Sequence, residues 1–250
     1  MPGARWRGAR YRPVVSAAHR HRGGKGSAVI ADNAGTVDRQ AVCAEVVAPD
    51  RAALLVIDVQ NDFVQPHQKD VLDRLAELIR SARNAGVRVI YIQNGVLPDG
   101  SSDSPADTLR RRTLGLPLDA TIVGTEGHRF APEVAPEDAD VVIPKHRMDS
   151  FTGTSLELVL RAGGIDTIVC TGVATHGCLV GTSYGAQARD FNVVVVRDCV
   201  ASWDPDLHDA ALRVLASTMV AVADADDVEA VWTAAGARAG GGAPGRSNEG

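Results

Sequence analysis

The sequence predicts an α/β protein built on a six-stranded, mostly parallel sheet with helices on both faces. Short apolar runs alternate with amphipathic segments along the chain from Ala52 onward. The apolar runs are hydrophobic at successive positions, which is typical of parallel strands buried on both faces. Strands that alternate with helices imply right-handed crossovers between parallel neighbours. The 250 residues, 45% of them hydrophobic, suffice for one sizeable core.

The first half of the chain predicts two strands joined by a helix. "ALLVID" (Ala53–Asp58) is the first strand and "VRVIYIQ" (Val87–Gln93) the second. Between them, Val71–Gly86 has apolar residues at helical spacing, and its final glycine is a stop signal. A segment from Asn94 to about Asp138 follows, and its length is more typical of a functional loop than of a simple connection.

The second half continues the alternation with four strands and four helices. The predicted strands are Ala139–Pro144, Ile165–Thr171, Asn192–Asp198 and Met219–Asp224. The predicted helices are Ser155–Gly164, Cys178–Arg189, Asp204–Thr218 and Asp226–Ala235. For the third of these helices, Asp204 is a good N-cap and Pro205 fits the first helical position.

The two ends of the chain differ from the core in composition. Residues 1–48 form a predicted disordered or extended arm, because their first part is rich in arginine, histidine and glycine and has no acidic residue. Residues 235–250 form a predicted glycine-rich, disordered tail. The folded core domain is therefore expected over residues 49–234.

Charge and cysteine usage limit the partners and the compartment. The net charge of −5 gives no reason to expect nucleic acid as a partner. No apolar run approaches the ~20 residues that cross a bilayer, so we expect no membrane span. The four cysteines lack a C-x-x-C pair and suggest neither a disulfide framework nor a structural zinc site. A reducing, cytoplasmic location is the expectation.

Three polar side chains stand where predicted strands end. Asp58 ends "LLVID", Lys145 follows "VVIP", and Cys178 lies just beyond "TIVCTGVA". Each has an ordinary alternative: a turn aspartate, a surface lysine and a small buried cysteine. The carboxyl ends of parallel strands share one edge of the sheet, where ligands bind in such folds, so the three could meet there.

A joint site of these residues would have a coherent chemistry. A helix N-terminus and a nearby ammonium lower the pKa of a thiol, so Cys178 is expected to ionise more readily than a free cysteine. Asp58 could accept the thiol proton as a general base. The turn before Cys178 could direct backbone N–H groups at a developing oxyanion.

Longer blocks around these residues resemble a known family. "ALLVIDVQNDFV", "VVIPKHRMDSFTGTSLELVLRAGGIDTIVCTGVATHGC" and "NVVVVRDCVAS" are similar to the isochorismatase-like cysteine hydrolases, and the resemblance covers about residues 50–232. It implies a three-layer α/β sandwich of Rossmann-like type, a homodimer or homotetramer, and an Asp58–Lys145–Cys178 triad. It also implies a cis peptide bond between Val173 and Ala174, with the N–H groups of Ala174 and Cys178 as the oxyanion hole.

The resemblance also bears on the branch of the family. Metal-containing nicotinamidases carry an Asp and two His after the second strand, whereas this chain has only His67 and His128 between Asp58 and Lys145. We therefore expect no metal and no other cofactor. "YIQNG", "SPADTLRRR", "GTEGHRFAPEVAP" and "PKHRMDSFTGTSLE" resemble the ureidoacrylate and biuret amidohydrolases.

The nucleophile turn departs from that branch. Its usual "TNVCVEST" is "THGCLVGT" here, so Val180 stands where a glutamate is expected. Gly177 before the cysteine is closer to the "TSGC" of the carbamoylsarcosine-type and maleamate-type amidases. The substrate class therefore stays open among amide, ureido, carbamoyl and lactam compounds.

Six further residues are candidates for substrate contact, each with a structural alternative. Phe63 resembles a pocket-wall phenylalanine of the family, and His176 flanks the oxyanion turn. Gln93 and Asn94, at a strand end, could hydrogen-bond an amide or ureido group, or could serve the turn. Phe151 and Tyr184 could line the pocket, although core packing is the simpler role.

The activity predicted is cysteine-dependent hydrolysis of a C–N bond through a thioester intermediate. Two other functions remain open at this point. The chain could be a non-catalytic binding or assembly member of the family, since its nucleophile turn is altered. It could also hydrolyse a vinyl ether, as isochorismatases do, although that chemistry does not use a nucleophilic cysteine.

Overall fold

A computed structural model describes residues 45–219 and 221–240 of the chain. Its strands are β1 (Ala52–Ile57), β2 (Arg88–Asn94), β3 (Val141–Lys145), β4 (Thr167–Val173), β5 (Asn192–Ala201) and β6 (Ala221–Ala223). They form one six-stranded sheet in the order β3-β2-β1-β4-β5-β6. Every pairing between neighbours in this sheet is parallel, so the carboxyl ends lie along one edge.

Six α-helices accompany the sheet within the described residues. They are α1 (Lys69–Asn84), α2 (Pro105–Thr113), α3 (Leu156–Ala162), α4 (Val180–Gln187), α5 (Pro205–Thr218) and α6 (Ala225–Gly240). A π-helical turn, Thr175–Leu179, precedes α4. Short 3₁₀ turns occupy Pro66–Gln68 and Pro132–Val134.

Alternate residues of the strands pack into two separate core clusters, one on each face of the sheet. Leu54 and Val56 of β1 join the cluster formed with helices α1 and α6. Leu55 and Ile57 join the opposite cluster, which contains residues of α3, α4 and α5. The strands are therefore buried on both faces, and the predicted α/β fold with helices on both faces is confirmed.

Several boundaries differ from those predicted. β4 begins at Thr167 rather than Ile165, and the helix expected from Cys178 begins at Val180, after the π-helical turn. Within the segment expected to be a loop, Ser104 caps a helix, α2, by accepting a hydrogen bond from Asp107 N at 3.1 Å.

The described residues also extend into both predicted disordered ends. Val47 is fully buried in the core, and its carbonyl accepts a 2.9 Å hydrogen bond from Trp232 Nε1. At the other end, α6 continues to Gly240. The rest of the predicted arm and tail, residues 1–44 and 241–250, lies outside the described part.

The centre of the sheet has a close approach that only glycine allows. Gly172 of β4 has φ +106° and pairs with Ile57 of β1. A Cβ atom at this position would lie 2.1 Å from the Ile57 carbonyl oxygen. β1 and β4 can therefore run side by side up to the residue that precedes Asp58.

Candidate active site

Asp58 follows β1 directly and is fully buried. Its backbone has a left-handed conformation, φ +54°, and its N–H donates to the Ile92 carbonyl of β2 at 3.0 Å. A non-glycine residue with positive φ is uncommon and favours aspartate or asparagine. This turn ends the strand at the carboxyl edge, where the side chain of Asp58 meets that of Lys145.

Lys145 is the last residue of β3 and is also fully buried. Its Nζ lies 2.8 Å from Asp58 Oδ2, 3.3 Å from Cys178 Sγ and 2.9 Å from the Arg147 carbonyl oxygen. The ammonium therefore contacts the carboxylate and the sulfur at once. The structure thus brings together the three residues that the sequence placed at strand ends.

Cys178 lies inside the turn between β4 and α4. The peptide bond between Val173 and Ala174 is cis, at the position that the resemblance implies. The Ala174 carbonyl then accepts hydrogen bonds from Gly177 N at 2.9 Å and Leu179 N at 3.4 Å. Gly177 breaks the helical path with φ −118° and ψ −106°. Cys178 is thus held in a turn of its own rather than in the first turn of α4.

The thiol is harder to ionise than the sequence led us to expect. Burial, followed by the charge of Asp58, raises the pKa of Cys178 to about 12, although the nearby Lys145 ammonium acts in the other direction. The expectation of a lowered thiol pKa was therefore wrong. A thiolate here would lie close to a carboxylate and would lose most of its solvation. The residue nevertheless keeps part of its surface open to solvent.

Burial also governs the two charged partners. It raises the pKa of Asp58, against the lowering effects of Lys145 and of a hydrogen bond with Cys178. Burial acts to lower the pKa of Lys145, but the negative charge of Asp58 outweighs this effect, so the pKa rises. In the resting site the protonated Lys145 therefore lies between the Asp58 carboxyl group, whose pKa is raised, and the neutral thiol of Cys178.

Thr175 and His208 hold the turn that contains Cys178 against α5. The sequence analysis did not assign either residue to the site. Thr175 Oγ1 donates to the Ala201 carbonyl at 2.9 Å and lies 2.9 Å from His208 Nδ1. Since the threonine proton is used on Ala201, His208 Nδ1 is the donor in the second contact. A chain of two hydrogen bonds thus connects the turn of Cys178 to the end of β5 and the first turn of α5.

His176 borders a cluster of aromatic rings. Its Nδ1 is hydrogen-bonded to Ser202 Oγ, and its ring meets that of Trp203 edge-on at 5.7 Å. Trp203 in turn lies 6.0 Å from the ring of Phe63. Trp203 was missed in the sequence, although its position two residues after β5 was a usable signal, because side chains that follow strand ends gather at this edge.

Gln93 and Asn94, at the end of β2, are occupied by the long loop. Gln93 Nε2 donates to the His128 carbonyl at 2.9 Å, and Asn94 Nδ2 donates to Thr121 Oγ1 at 2.9 Å. The buried Gln60, which sequence reasoning missed, adds bonds from Nε2 to the carbonyls of Asn94 at 2.9 Å and His128 at 2.7 Å. These amides attach residues 121–128 to the edge beside Asp58.

The last two substrate-contact candidates lie elsewhere. Phe151 is 5% exposed, packs in the core cluster of α3 to α5, and stacks on Phe191 with ring centroids 6.0 Å apart. Tyr184 lies on the surface of α4 and donates from its hydroxyl to Thr218 Oγ1 at 3.2 Å. Their surroundings fit the structural alternative for both residues.

A cavity of about 480 Å³ lies away from these residues, between α1 and α6, and is lined by Arg80, Asn84 and Trp232 among others. It contains none of the candidate site residues. Among residues 45–219 and 221–240, no group of three or more His, Cys, Asp or Glu side chains is arranged to hold a metal ion. In the same part of the chain, no helix is both long and apolar enough to cross a membrane.

The all-parallel sheet with helices on both faces defines a three-layer α/β class of protein, and Asp58, Lys145 and Cys178 meet at its carboxyl edge. Within that class the chain belongs to the isochorismatase family, because the isochorismatase domain model matches residues 52–227. Its relatives include amidohydrolases, which act on C–N bonds other than peptide bonds.

Two curated relatives and one solved structure illustrate the similarity. The ureidoacrylate amidohydrolase RutB of Methylorubrum extorquens is 32% identical over 214 residues, which cover 76% of this chain and 86% of the relative. The maleamate amidohydrolase of Pseudomonas putida is 29% identical over 174 residues, covering 65% and 78% respectively. A cysteine hydrolase from Pseudomonas syringae pv. phaseolicola superimposes with a TM-score of 0.68 at 25% identity, covering 75% of this chain and 94% of that one.

Proposed function

We propose that this protein is a cysteine-dependent amidohydrolase that cleaves a C–N bond of an amide, ureido, carbamoyl or lactam substrate through a thioester intermediate. The observation that carries the proposal is the position of the buried Lys145 ammonium, 2.8 Å from the Asp58 carboxylate and 3.3 Å from Cys178 Sγ. The names of the relatives, which include ureidoacrylate and maleamate amidohydrolases and a cysteine hydrolase, support it.

The first half-reaction forms the thioester. Asp58 accepts the proton of Cys178 as the sulfur attacks the substrate carbonyl carbon, so a negative charge moves from the carboxylate to the reacting atoms. Lys145 contacts both groups and stabilises the charge at either place. The N–H groups of Ala174 and Cys178 are proposed to hold the oxyanion. Collapse of the tetrahedral adduct breaks the C–N bond, and Asp58 returns the proton to the leaving nitrogen.

The second half-reaction releases the acid. Asp58, again ionised, takes a proton from a water molecule that attacks the thioester carbonyl. The C–S bond breaks and the sulfur regains its proton from Asp58. The net products are a carboxylic or carbamic acid and ammonia or an amine. The raised pKa of the thiol agrees with a nucleophile that is deprotonated in the attack rather than beforehand.

Replacement of the nucleophile tests the proposal. Cys178→Ala should reduce the release of ammonia or amine from small amides, ureas and carbamoyl compounds by about 10³-fold or more, because the covalent route is lost. Cys170→Ala is the matched control, since it makes the same thiol-to-methyl change at a fully buried cysteine of β4 and should retain turnover. The measurements are steady-state rates and the intact mass of the protein quenched during turnover.

An acyl adduct on Cys178 in the quenched wild-type protein would support the thioester. Turnover of these compounds retained in a folded Cys178→Ala protein would contradict the covalent route. A folded wild-type protein that hydrolyses none of the compounds would favour a non-catalytic family member.

We also propose that the reaction needs no metal. His67 and His128 are the histidines between Asp58 and Lys145, and the backbone carbonyl of His128 is held by Gln60 and Gln93 as part of the loop attachment. Activity should survive dialysis against a strong chelator. Loss of activity that zinc or iron restores would show that this part of the proposal is wrong.

A further inference from the structure

The rings of Phe63, His176 and Trp203 form a continuous surface, which we call the aromatic wall. Trp203 contacts both other rings, edge-on to His176 at 5.7 Å and tilted by 50° to Phe63 at 6.0 Å. All three side chains are only half-buried. Phenylalanine and tryptophan are usually well buried, so rings of both that stay partly open to solvent beside a histidine suggest a binding surface.

The polar atoms of the wall are largely used by the protein itself. Trp203 Nε1 donates to the Phe63 carbonyl at 2.9 Å, and His176 Nδ1 is paired with Ser202 Oγ. Burial also lowers the pKa of His176, so its ring is neutral near pH 7. What remains for a ligand is mainly the flat, uncharged surface of the rings.

The wall lies beside the proposed nucleophile. His176 is two residues before Cys178 in the same turn, and Trp203 follows β5, where Ala201 pairs with Val173 of β4. Phe63 lies in the segment that leaves Asp58. Three neighbouring strand ends thus contribute the wall to the same edge of the sheet as the thiol.

The turn also leaves room next to the wall. A Cβ atom at Gly177, between His176 and Cys178, would meet no atom within 4 Å. A bulky substituent could therefore lie against His176 without a clash with the turn.

Charges near the wall disfavour an anion there. The Asp204 carboxylate acts on His176, and its side chain caps α5 by accepting from Leu207 N at 3.0 Å. Of the nearby cations, Lys145 is paired with Asp58, and Arg147 donates to the carbonyls of Ser102 and His146. A substrate carboxylate at the wall would thus lie near the Asp204 carboxylate, while Lys145 and Arg147 already have partners.

We infer that Trp203, with Phe63 and His176, selects substrates that carry a flat, uncharged ring next to the scissile amide, over substrates that carry a carboxylate at that position. The relatives named for ureidoacrylate and maleamate act on compounds of the second kind. This inference rests on the proposed amidohydrolase function, because it places the ring beside the carbonyl that Cys178 attacks.

Two matched amides test the inference. Cinnamamide and fumaramate share the unsaturated primary amide and differ in a phenyl group against a carboxylate. Binding of each is measured by calorimetry on the Cys178→Ala protein, which needs no turnover, and kcat/KM is measured on the wild type. We expect cinnamamide to bind about tenfold more tightly, the value of one good ring contact.

Three variants in the Cys178→Ala background assign the preference to the wall. Trp203→Leu should remove most of it, whereas Trp203→Phe should keep much of it because a ring remains. Asp204→Asn keeps the helix-capping oxygen and should strengthen fumaramate binding alone. Val214→Ala, a loss of exposed apolar surface farther along α5, is the control and should change neither affinity.

Equal binding of the two amides, or tighter binding of fumaramate, would overturn the inference. So would a preference that folded Trp203→Leu and Asp204→Asn proteins both leave unchanged. A preference in binding without turnover of any amide by the wild type would instead overturn the proposed function and leave the selectivity of the wall intact.

Discussion

The carboxyl edge of the sheet has two unlike halves. At the ends of β1, β2 and β3 the side chains are charged or amide-bearing and have fixed partners: Asp58 and Lys145 form a buried ion pair, and Gln60 is hydrogen-bonded to backbone carbonyls. At the ends of β4 and β5 the exposed groups are rings, and the side chains of His176 and Trp203 are half-open to solvent.

The difference separates two tasks. A buried ion pair must keep its geometry, because the loss of one partner leaves an unpaired charge in a medium of low polarity. A surface of partly exposed rings can accept ligands of several shapes, because its contacts are not directional. We infer that the first half supplies the charged partners of Cys178 and that the rings of the second half contact the substrate.

The largest losses of activity and stability are expected from substitutions of the buried ion pair at the ends of β1 and β3. Lys145→Met and Asp58→Asn should both abolish turnover, and Lys145→Met should also cost about 3–5 kcal/mol of stability by leaving Asp58 unpaired. The two changes should move the Cys178 pKa in opposite directions from about 12: upward without the ammonium, and downward without the carboxylate.

Alkylation by iodoacetamide measures this shift when labelled Cys178 is quantified by peptide mass at a series of pH values. At one fixed pH the rate should fall for Lys145→Met and rise for Asp58→Asn, tenfold for each pKa unit. Profiles that overlay the wild type in both variants would mean that neither charge acts on the thiol.

Two glycine substitutions test the contact between β1 and β4, the strands at which the two halves meet. Gly172→Ala should destabilise the protein by more than about 4 kcal/mol, because the new methyl group meets the backbone of Ile57. Gly86→Ala is the matched control. It also has positive φ, +75°, but has no atom within 4 Å of the added methyl group, and should cost only about 1–2 kcal/mol.

Denaturant unfolding of both glycine variants would check this difference. Equal costs at Gly172 and Gly86 would show that backbone conformation alone matters and that β1 can move away from β4.

A smaller loss of stability is expected when the hydrogen bonds of the Gln60 side chain are removed. Gln60→Leu removes the hydrogen bonds of the Gln60 side chain with the Asn94 N–H and with the carbonyls of Asn94 and His128, at a cost of about 2–4 kcal/mol. The His128 carbonyl keeps its bond from Gln93 Nε2. Gln187→Leu removes an exposed bond to the Thr218 carbonyl and should cost below about 1 kcal/mol. Similar unfolding midpoints for the two variants would show that the long loop is held by other contacts.

The smallest effect concerns the histidines of the edge. Burial lowers the folded-state pKa of His128, His176 and His208, so the unfolded chain takes up protons first as the pH falls. Their contribution to stability is thus complete above the ordinary pKa of ~6.5 and is lost as the pH falls from there towards the folded-state values.

Thermal midpoints at pH 7.5 and 5.5 would show this loss. The decrease should be smaller in His208→Gln than in the wild type, since one of the three groups no longer titrates. An unchanged decrease would mean that other groups set the pH dependence.

The fold was predictable because its strands are apolar on both faces, a pattern visible in "ALLVID" and "NVVVVRD". Helix α2 was missed although Ser104 and Pro105 are good start signals, because its residues are mostly polar and its burial is slight. Both ends of β4 were predicted two residues too early, because Ile165 is buried but precedes the strand, and the ladder continues past Thr171 through Gly172 and Val173.

The meeting of Asp58, Lys145 and Cys178 was predictable from the shared edge of parallel strands. The direction of the Cys178 pKa was not, because it depends on how fully protein atoms surround the sulfur. The partners of Gln93 and Asn94 could not be foreseen either, since His128 and Thr121 are brought to them by a loop whose path the sequence does not reveal.

The complete burial of Lys145 has a practical consequence for chemical modification. The chain has three lysines, Lys25, Lys69 and Lys145, and the side chain of Lys69 is 69% exposed against 0% for Lys145. Amine-directed coupling to a resin or a dye should therefore reach Lys69 and spare the lysine of the site. The protein can be attached to a solid support through its amines while the groups around Cys178 stay unmodified.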